Sequence, residues 1–333
     1  MENVYTDMAV ECFERGFPRR IDKKEIGSGV FKSTVEVKNE AEETAFGKRR
    51  GVYVTFDTKS PYFRSAATEK VLIDGIASSL KKLSRTVMPK KPDEKNGVIM
   101  KAPLAAADND GGGSAVSFGT PVIRQSDRNY GDTAKTSKSA SAHRAVLVVG
   151  LGNEGMTADS LGPSTTAKLS VAAGEGTGLC TLTPGVRGVT GVESFDVITG
   201  VCDKIKPELV ILVDTLASSK ARRLYSSFQL STSGIIPGGG VGNRKPALNR
   251  ESLGAPVIAL GVPLVLYART LAADCFESYS ELTGTVIDGK KAGLAMADSL
   301  FGDYNLVVTP KEIDFIVNGC AEILSRALVK AFL

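Results

Sequence analysis

The sequence lacks several features that would assign a class of protein at once. It contains no run of about 18 apolar residues, the length a membrane-spanning helix needs, and its polar start, MENVYTDMAVECFERG, does not resemble a signal peptide. These absences predict a cytoplasmic protein with no membrane partner. The cysteines show no C-x-x-C spacing, so we expect reduced thiols rather than a zinc site or a disulfide framework: Cys12, Cys180, Cys202, Cys275 and Cys320.

Histidine is almost absent, since His143 is the only one in the chain. Nucleophilic catalysis by a Ser/His or Cys/His pair needs a positioned base. A hydrolytic metal site with two carboxylates would also need a histidine ligand. His143 lies in a polar stretch without hydrophobic periodicity, where an exposed loop residue is the simplest interpretation. We therefore predict neither a metal nor a cofactor.

The formal net charge of +4 is concentrated in one segment. Residues 85–144 contain ten Lys or Arg against six Asp or Glu, so the rest of the chain sums to zero. This location argues against a nucleic-acid partner. The segment is rich in Ala, Ser, Gly and Lys, and we predict a flexible, low-complexity insertion over residues 89–144. A basic loop that touches an acidic partner is the alternative.

Hydrophobic patterning on either side predicts an α/β fold. Residues 27–58 alternate like strands around a short charged helix or turn, and residues 68–84 have helical spacing. From residue 145 the apolar runs at 145–149, 208–213 and 256–260 are continuous, as in parallel strands that helices cover on both faces. Thr309, Pro310 and Glu312 are typical of the start of a C-terminal helix. We predict three layers with a mostly parallel sheet, a β-rich N-terminal extension and one domain overall.

The stretch VLVVGLGNEGMTADSLGPS at 146–164 has the G-x-G-x-x-G spacing of a dinucleotide-binding turn. Such a turn needs a helix that starts within the motif and an acidic residue about 20 positions later at the end of a second strand. Gly162 and Pro163 stand where that helix should be established, and the region near Glu175 reads as a loop. A non-enzymatic nucleotide-binding module therefore remains only as an alternative.

Two aspartates follow buried strands in this part of the sequence. Asp159 lies in the glycine-rich loop after the strand at 145–149, and Asp214 ends ELVILVD. If the two strands are neighbours, both carboxylates lie in one crevice. One is then held protonated while the other stays charged, which equips the site for acid–base hydrolysis. The alternative is that each aspartate caps a following helix.

A series of blocks resembles the germination protease family of spore-forming bacteria. They occur in the order RRGVYVTFDT (49–58), VVGLGNEGMTADSLGP (148–163), TPGVRGVTGVESFDVI (183–198), KPELVILVDTLASS (206–219), GIIPGGGVGNRKPALNRESLGAPVIALGVP (234–263) and NLVVTPKEID (305–314). The resemblance implies an atypical aspartic endopeptidase that degrades small acid-soluble spore proteins in the spore core, with a fold similar to hydrogenase-maturation proteases. It implies Asp159 and Asp214 as the catalytic pair, direct attack by water, and a homotetramer. A metal-directed peptidase of the hydrogenase-maturation type is the alternative enzyme.

This chain departs from the family pattern near the predicted site. Glu154-Gly155 replaces Trp-Asn, Ala158 replaces Pro, and Ile236 and Tyr267 stand where His and Asp are expected. Glu154 is either a third acid near the pair or an exposed loop residue. Candidate substrate-binding residues come from the glycine-rich loops at 183–191 and 236–243, which either hold an extended peptide and an oxyanion or simply form tight turns: Asn153, Arg187, Gly239 and Gly240.

VYTDMAVE (4–11) resembles the segment at which the family's zymogen cuts itself, after an acidic residue and before an apolar one. That resemblance predicts self-cleavage between Asp7 and Met8, with residues 1–7 as a propeptide, 8–88 as the first part of the catalytic domain and 145–333 as its core. We predict that an acidic side chain before the cut pairs with Arg187. The alternative is an amphipathic helix from residue 4 to 16, capped by Thr6 or Asp7.

Overall fold

A computed structural model of the chain describes residues 6–17, 20–59, 65–88, 145–172, 178–236, 246–285, 288–302 and 306–333. The strands in these ranges are β1 (Asp22–Gly27), β2 (Val30–Val37), β3 (Gly51–Thr58), β4 (Val146–Gly150), β5 (Leu179–Leu182), β6 (Leu209–Ala217), β7 (Ser227–Ser231), β8 (Val257–Tyr267) and β9 (Val307–Val308). The helices are α1 (Ala9–Gly16), α2 (Glu40–Phe46), α3 (Ala66–Val87), α4 (Leu161–Ala172), α5 (Arg187–Thr190), α6 (Ser194–Ile205), α7 (Arg250–Leu253), α8 (Ala268–Thr283), α9 (Gly289–Phe301) and α10 (Ile313–Phe332).

One mixed sheet joins the N-terminal and C-terminal parts of the chain. Its order is β1-β2-β3-β7-β8-β6-β4-β5, and β9 adds to β8. β4, β5, β6 and β8 run parallel, whereas β1, β2, β3 and β7 pair antiparallel with their neighbours. The continuous apolar runs form the parallel strands, as predicted. They are buried on both faces, and alternation of apolar and polar residues would leave polar side chains inside the molecule.

Helices cover both faces of the parallel part. One face packs against α3, α4 and α10 through residues such as Leu72, Leu169 and Leu324. The other face packs against α6 and α7 through Ile198 and Leu253. The predicted three-layer α/β class with a β-rich N-terminal extension is therefore confirmed. None of the described helices is long and apolar enough to cross a membrane.

The C-terminal helix starts later than the capping pattern predicts. Thr309 was the predicted N-cap, but α10 begins at Ile313. Val307 and Val308 pair with Leu266 and Tyr267 of β8 instead, and the Thr309 hydroxyl donates a hydrogen bond to the Leu264 carbonyl (3.0 Å). These tertiary contacts hold the segment extended and delay the helix.

The chain divides into two units, one made of Met1–Pro89 with His143–Leu333 and one of Lys90–Ala142. All described residues belong to the first unit. The insertion predicted at 89–144, including His143, lies outside the described residues.

Candidate active site

The order of the parallel strands creates a crevice between β4 and β6. From β4 the chain moves to β5 on one side, and from β6 it moves to β7 and β8 on the other. Ligands of open α/β sheets bind beyond the carboxyl ends of strands at such a reversal. β4 ends at Gly150, which pairs with Val213, whereas β6 continues to Ala217. The last four residues of β6 therefore extend past the end of β4.

Asp159 lies in the loop that follows β4. It is the last residue of the 3-10 turn Thr157–Asp159 and is half-buried. The Asn153 N–H donates both to the Asp159 carbonyl oxygen (3.1 Å) and to its Oδ2 (2.9 Å). Gly152 has φ +114°, and a Cβ there would lie 2.0 Å from the Asp159 carbonyl oxygen. Only glycine fits at this position, so the glycine-rich spacing closes a loop around an aspartate.

Gly162 allows the next helix to approach the sheet. A Cβ on it would lie 2.2 Å from the Leu151 carbonyl oxygen and 2.6 Å from that of Val213. α4 begins at Leu161, six residues after Gly155. A dinucleotide turn needs its helix to begin within the glycine motif, so these glycines are explained by packing and not by a phosphate.

Asp214 lies inside β6, although the sequence predicted it at the end of a strand. The strand continues to Ala217 because this segment pairs with β8. Since no helix follows directly, the helix-cap alternative is wrong for this residue. Asp214 is 8% exposed, and its Oδ1 accepts a hydrogen bond from the Thr215 N–H (2.9 Å). Val210 and Leu212 belong to the core that packs against α6 and α7, so the period of two places Asp214 on that face.

Asp159 follows β4 and Asp214 lies in β6, so both aspartates belong to segments at this reversal. The turn Thr157–Asp159 contacts both β6 and β8. Across the sheet, Asp214 pairs in register with Gly261 of β8, and Gly261 pairs with Gln229 of β7. Gln229 is on the same face as Asp214, because its neighbours Phe228 and Leu230 belong to the opposite core. Gly261 therefore leaves a gap between two polar side chains whose strands lie about 10 Å apart.

A cavity of about 630 Å³ opens at this gap. Leu216, Gln229 and Gly261 line it from the sheet, and the N-terminal segment lines it from the other side. The charged residues that line it within the described ranges are one acid and three bases: Asp7, Arg15, Lys48 and Arg49.

Asp7 is held mainly by backbone and amide groups. Its N–H donates to the Ala217 carbonyl (2.8 Å), and its Oδ2 accepts from the Ala217 N–H (2.8 Å). The Gln229 side-chain amide donates to the Asp7 carbonyl (3.1 Å), and the preceding Thr6 carbonyl accepts from Lys48 Nζ (2.6 Å). Burial, and next the negative charge of Asp7, raise the pKa of Tyr267. Asp7 therefore lies close to the carboxyl ends of both β6 and β8.

The residues after Asp7 are held by burial. Met8, Ala9, Val10 and Phe13 are at most 1% exposed. The Ala9 N–H also donates to the Gln229 side-chain oxygen (2.7 Å), so this amide contacts the chain on both sides of the Asp7–Met8 bond. α1 begins at Ala9 with Met8 as its N-cap, so an amphipathic helix forms in this segment as the alternative predicted, but neither Thr6 nor Asp7 caps it.

A buried ionic cluster attaches α1 to the segment after β6. Glu11 is 1% exposed and accepts hydrogen bonds from Ser218 Oγ (2.6 Å) and the Ser219 N–H (2.8 Å). Arg223 makes a bidentate contact with Glu14 (2.7 and 2.9 Å) and a further one with Asp57 (3.3 Å). Burial alone would raise the pKa of Glu14, but the hydrogen bond and charge of Arg223 lower it below its ordinary value.

The other predicted site residues lie in several places. Asn153 contacts Asp159, as described above. Arg187 is 71% exposed and forms an ion pair with Glu193 (2.9 Å), so its predicted pairing with an acid before the cut remains a prediction. Glu154 is exposed. Gly239 and Gly240 lie outside the described residues.

Sequence reasoning missed Gln229, Glu11, Lys48 and Arg223. Gln229 is one of three polar residues that alternate with Phe228 and Leu230 in β7, and polar positions of an alternating strand usually face solvent. Glu11 three residues after Met8 does match half of a capping box, the one available signal. Among the described residues, no group of three His, Cys, Asp or Glu side chains is arranged to hold a metal ion.

Comparison with known proteins gives consistent matches. The germination protease family model, Peptidase A25, matches residues 132–302. A germination protease of Clostridium perfringens (strain ATCC 13124) is 31% identical over 364 residues, which cover 98% of this chain and 94% of that protein. One of Caldanaerobacter subterraneus subsp. tengcongensis is 40% identical over 208 residues, which cover 55% of this chain and 64% of that protein.

Among solved structures, the NiFe hydrogenase maturation protease HycI from Thermococcus kodakarensis KOD1 is 16% identical. The match covers 56% of this chain and 92% of that chain, with a TM-score of 0.33.

Proposed function

Because the chain belongs to the germination protease family and is therefore a peptidase, we propose that it is an endopeptidase that cleaves small acid-soluble spore proteins during germination, with Asp159 and Asp214 activating water. The observation that supports this most directly is that Asp159 follows β4 and Asp214 lies in β6, the two strands between which the order of the sheet reverses. Gly261, the strand partner of Asp214, lines a cavity large enough for several residues of an extended peptide.

The chemistry follows from two carboxylates that share one site. Because two neighbouring negative charges are costly, one carboxyl keeps a proton while the other is charged. The charged group takes a proton from water as the water oxygen attacks the peptide carbonyl. The protonated group donates to the carbonyl oxygen and then to the leaving nitrogen. No covalent intermediate with the protein is needed.

We further propose that the chain is made as a zymogen that cuts its own Asp7–Met8 bond. Asp7, on one side of this bond, lines the same cavity as Gly261, the strand partner of Asp214. Hydrogen bonds hold the acidic residue before it, and burial holds the apolar residue after it. Residues 1–7 are the propeptide, and residues 8–88 and 145–333 form the catalytic domain around the insertion at 89–144. The pairing of β3 with β7 supports this, because it joins both parts in one sheet.

Location and assembly are part of the proposal. The spore core, a cytoplasmic compartment, is where the substrates would be met. A homotetramer is what the family resemblance implies, and an interface between copies is supported by exposed apolar side chains on two helices that pack together, α8 and α9. Its members are Tyr279 (55% exposed), Leu282 (87%), Met296 (44%) and Leu300 (66%). Asn153, Arg187, Gly239 and Gly240 remain candidate substrate-binding residues.

The experiment that tests the proposal incubates the purified chain with a small acid-soluble spore protein, with and without a chelator. Fragments are identified by mass. We expect cuts after acidic residues, insensitive to the chelator. Loss of cleavage on chelation would instead favour the metal-directed peptidase, and no cleavage under either condition would contradict the proposal.

A further inference from the structure

The cavity beside Asp214 contains charges that the catalytic mechanism does not use. Arg15, Lys48 and Arg49 line it, and the acid among them, Asp7, belongs to the proposed propeptide. If residues 1–7 leave, the charged lining residues that remain in the described part of the chain are all cationic. A cavity of this kind attracts a negatively charged peptide.

The groups that hold Asp7 are suited to hold another chain in the same way. The Ala217 N–H donates to the carboxylate of Asp7, and the Ala217 carbonyl accepts from its N–H. Lys48 Nζ binds the preceding carbonyl and the Gln229 amide binds the following one. Three of these four contacts involve backbone atoms of the bound segment, so they do not depend on its sequence. The contact from the Ala217 N–H needs an acceptor on the side chain.

We propose that this cavity binds the acidic residue that precedes the scissile bond of a protein substrate. Asp7 occupies it in the uncut chain, and an acidic residue of another chain occupies it after the cut. The inference rests on the proposed cleavage at Asp7–Met8. It assigns recognition of the acid to the Ala217 N–H and to the cationic residues of the cavity, above all Lys48, whereas Arg187 does not line this cavity.

Peptide binding tests this inference without any catalysis. Residues 1–7 are replaced by a ubiquitin-like carrier that its own protease removes after folding, leaving Met8 first. The probe is a fluorescent heptapeptide of residues 1–7, with Asp or Asn at its last position, and binding is followed by fluorescence anisotropy. We expect the Asn peptide to bind about tenfold more weakly, because its amide oxygen accepts the Ala217 hydrogen bond without the negative charge that strengthens it.

Two variants of equal charge separate the cavity from a general charge effect. Lys48→Gln should weaken binding of the Asp peptide about fivefold or more. Lys204→Gln, on α6 and exposed, should leave it unchanged. Equal binding of both peptides, equal effects of both variants, or no binding at millimolar peptide would overturn the inference. Failure of the full chain to cut itself would instead count against the proposed function.

A second observation concerns the nitrogen on the other side of the same bond. The Met8 N–H donates to the Thr6 hydroxyl (3.0 Å), and this hydroxyl donates to Glu11 Oε2 (2.6 Å). Thr6 thus bridges Met8 and Glu11, and Thr6 belongs to the segment that would leave. Glu11 is the third residue of α1 after the N-cap Met8. From this position a carboxylate reaches back to the N-cap nitrogen.

We infer that Glu11 is the binding site for the amino group that the cut creates. Hydrolysis adds the water oxygen to the Asp7 carbonyl carbon and breaks the bond to the Met8 nitrogen. Asp7 leaves with a new carboxylate, and Met8 gains protons and becomes an ammonium. The ammonium takes the place of the Thr6 hydroxyl and donates to Glu11, which also binds Ser218 and Ser219 directly after β6. The cut is thereby linked to the end of the strand that contains Asp214.

Thermal unfolding tests this second inference, which also rests on the proposed cut. Chains that begin at Met8 and chains with one added Gly before Met8 are both released from the carrier. The added residue displaces the ammonium, and we expect the Tm to fall by about 3 °C or more. In the Glu11→Gln background, the same added Gly should lower the Tm only slightly. If that variant does not fold, the rate of acetylation of the terminal amine is compared in the two wild-type chains. We expect the Met8 amine to be acetylated more slowly than the added Gly amine. Equal Tm values in the wild-type background, or equal acetylation rates, would overturn the inference.

Discussion

The two sides of the Asp7–Met8 bond are held in different ways. Thr6 and Asp7 are fixed by hydrogen bonds to Lys48, Ala217, Gln229 and, through the Thr6 hydroxyl, Glu11, groups that water or the new amino terminus can also satisfy. Met8 to Phe13 are fixed by burial of four apolar side chains and by the carboxylate of Glu11. A net hydrogen bond contributes about 1 kcal/mol, whereas each buried large side chain contributes about 2 kcal/mol or more. A cut at this bond therefore separates a releasable part from a retained part.

The largest expected effect concerns the groups that would make the cut. Asp159→Asn and Asp214→Asn should each lower the cleavage rate by about 100-fold or more, the usual contribution of an acid–base group. The double variant should be little worse, because the two residues act as a unit. Rates of peptide cleavage and circular dichroism of each variant check this.

Asp203→Asn is the matched control, since Asp203 is exposed on α6 and paired with Lys206. It should retain full activity. A single variant at Asp159 or Asp214 that keeps more than about a tenth of the rate contradicts the assignment.

Arg223→Met tests the ionic attachment of the retained part. It leaves Glu11, Glu14 and Asp57 without their common partner, and should lower the unfolding free energy at pH 7 by about 3–5 kcal/mol. Because the pKa of Glu14 lies below its ordinary value, its stabilisation is fully present above about pH 4.3 and is lost as pH falls through the lower, folded value. Urea unfolding at several pH values should therefore show the difference between wild type and variant shrinking below about pH 4.3.

Arg222→Met provides the comparison, because Arg222 is 72% exposed and lies 3.9 Å from Glu14. We expect less than about 1 kcal/mol from it. A loss equal to that of Arg223→Met would show that the buried geometry is not responsible.

Phe13→Ala and Thr6→Ala compare the two sides directly. Phe13 is fully buried and stacks on Phe46 (centroids 4.0 Å apart), so its truncation should cost about 3–5 kcal/mol. Thr6→Ala removes one hydroxyl and should cost about 1–2 kcal/mol. Equal losses in urea unfolding would remove the distinction between a retained and a releasable part.

The smallest expected effect is at Tyr267. Removal of residues 1–7 takes away the negative charge of Asp7, so the pKa of Tyr267 should fall, while the larger contribution from burial remains. Titration of tyrosine ring carbons by NMR checks this. Asp7→Asn in the full chain should lower the pKa of Tyr267 by a similar amount. An unchanged Tyr267 pKa in both the shortened chain and the Asp7→Asn chain would show that Asp7 does not lie near Tyr267.

The sequence was most informative where the chain is apolar. Continuous apolar runs predicted the parallel strands, because burial on both faces leaves no other pattern. The end of β6 was misplaced, since pairing with β8 extends the strand through Asp214, a polar residue that a single sequence cannot place against a partner. The start of α10 was misplaced for the same kind of reason, because β9 and the Thr309 contact with Leu264 override a good capping pattern.

Some residues of the candidate site could be predicted from the sequence and others could not. Asp159 and Asp214 were found from their positions after strands and from the family resemblance. Gln229 and Lys48 were not found, because each contacts the N-terminal segment across more than 40 residues of sequence, and neither lies in a local pattern. Arg187 was chosen by proximity to a motif alone, and the structure shows it paired with Glu193.

N-terminal sequencing of the full chain, aged under mildly acidic conditions, tests the central claim most directly. A shared-proton pair needs one neutral carboxyl, which acid favours. We predict a new chain that begins at Met8 in the wild type and is absent in Asp159→Asn and Asp214→Asn. Fully active enzyme that still begins at Met1, or a Met8 terminus that appears equally in the Asp159→Asn chain, would contradict it.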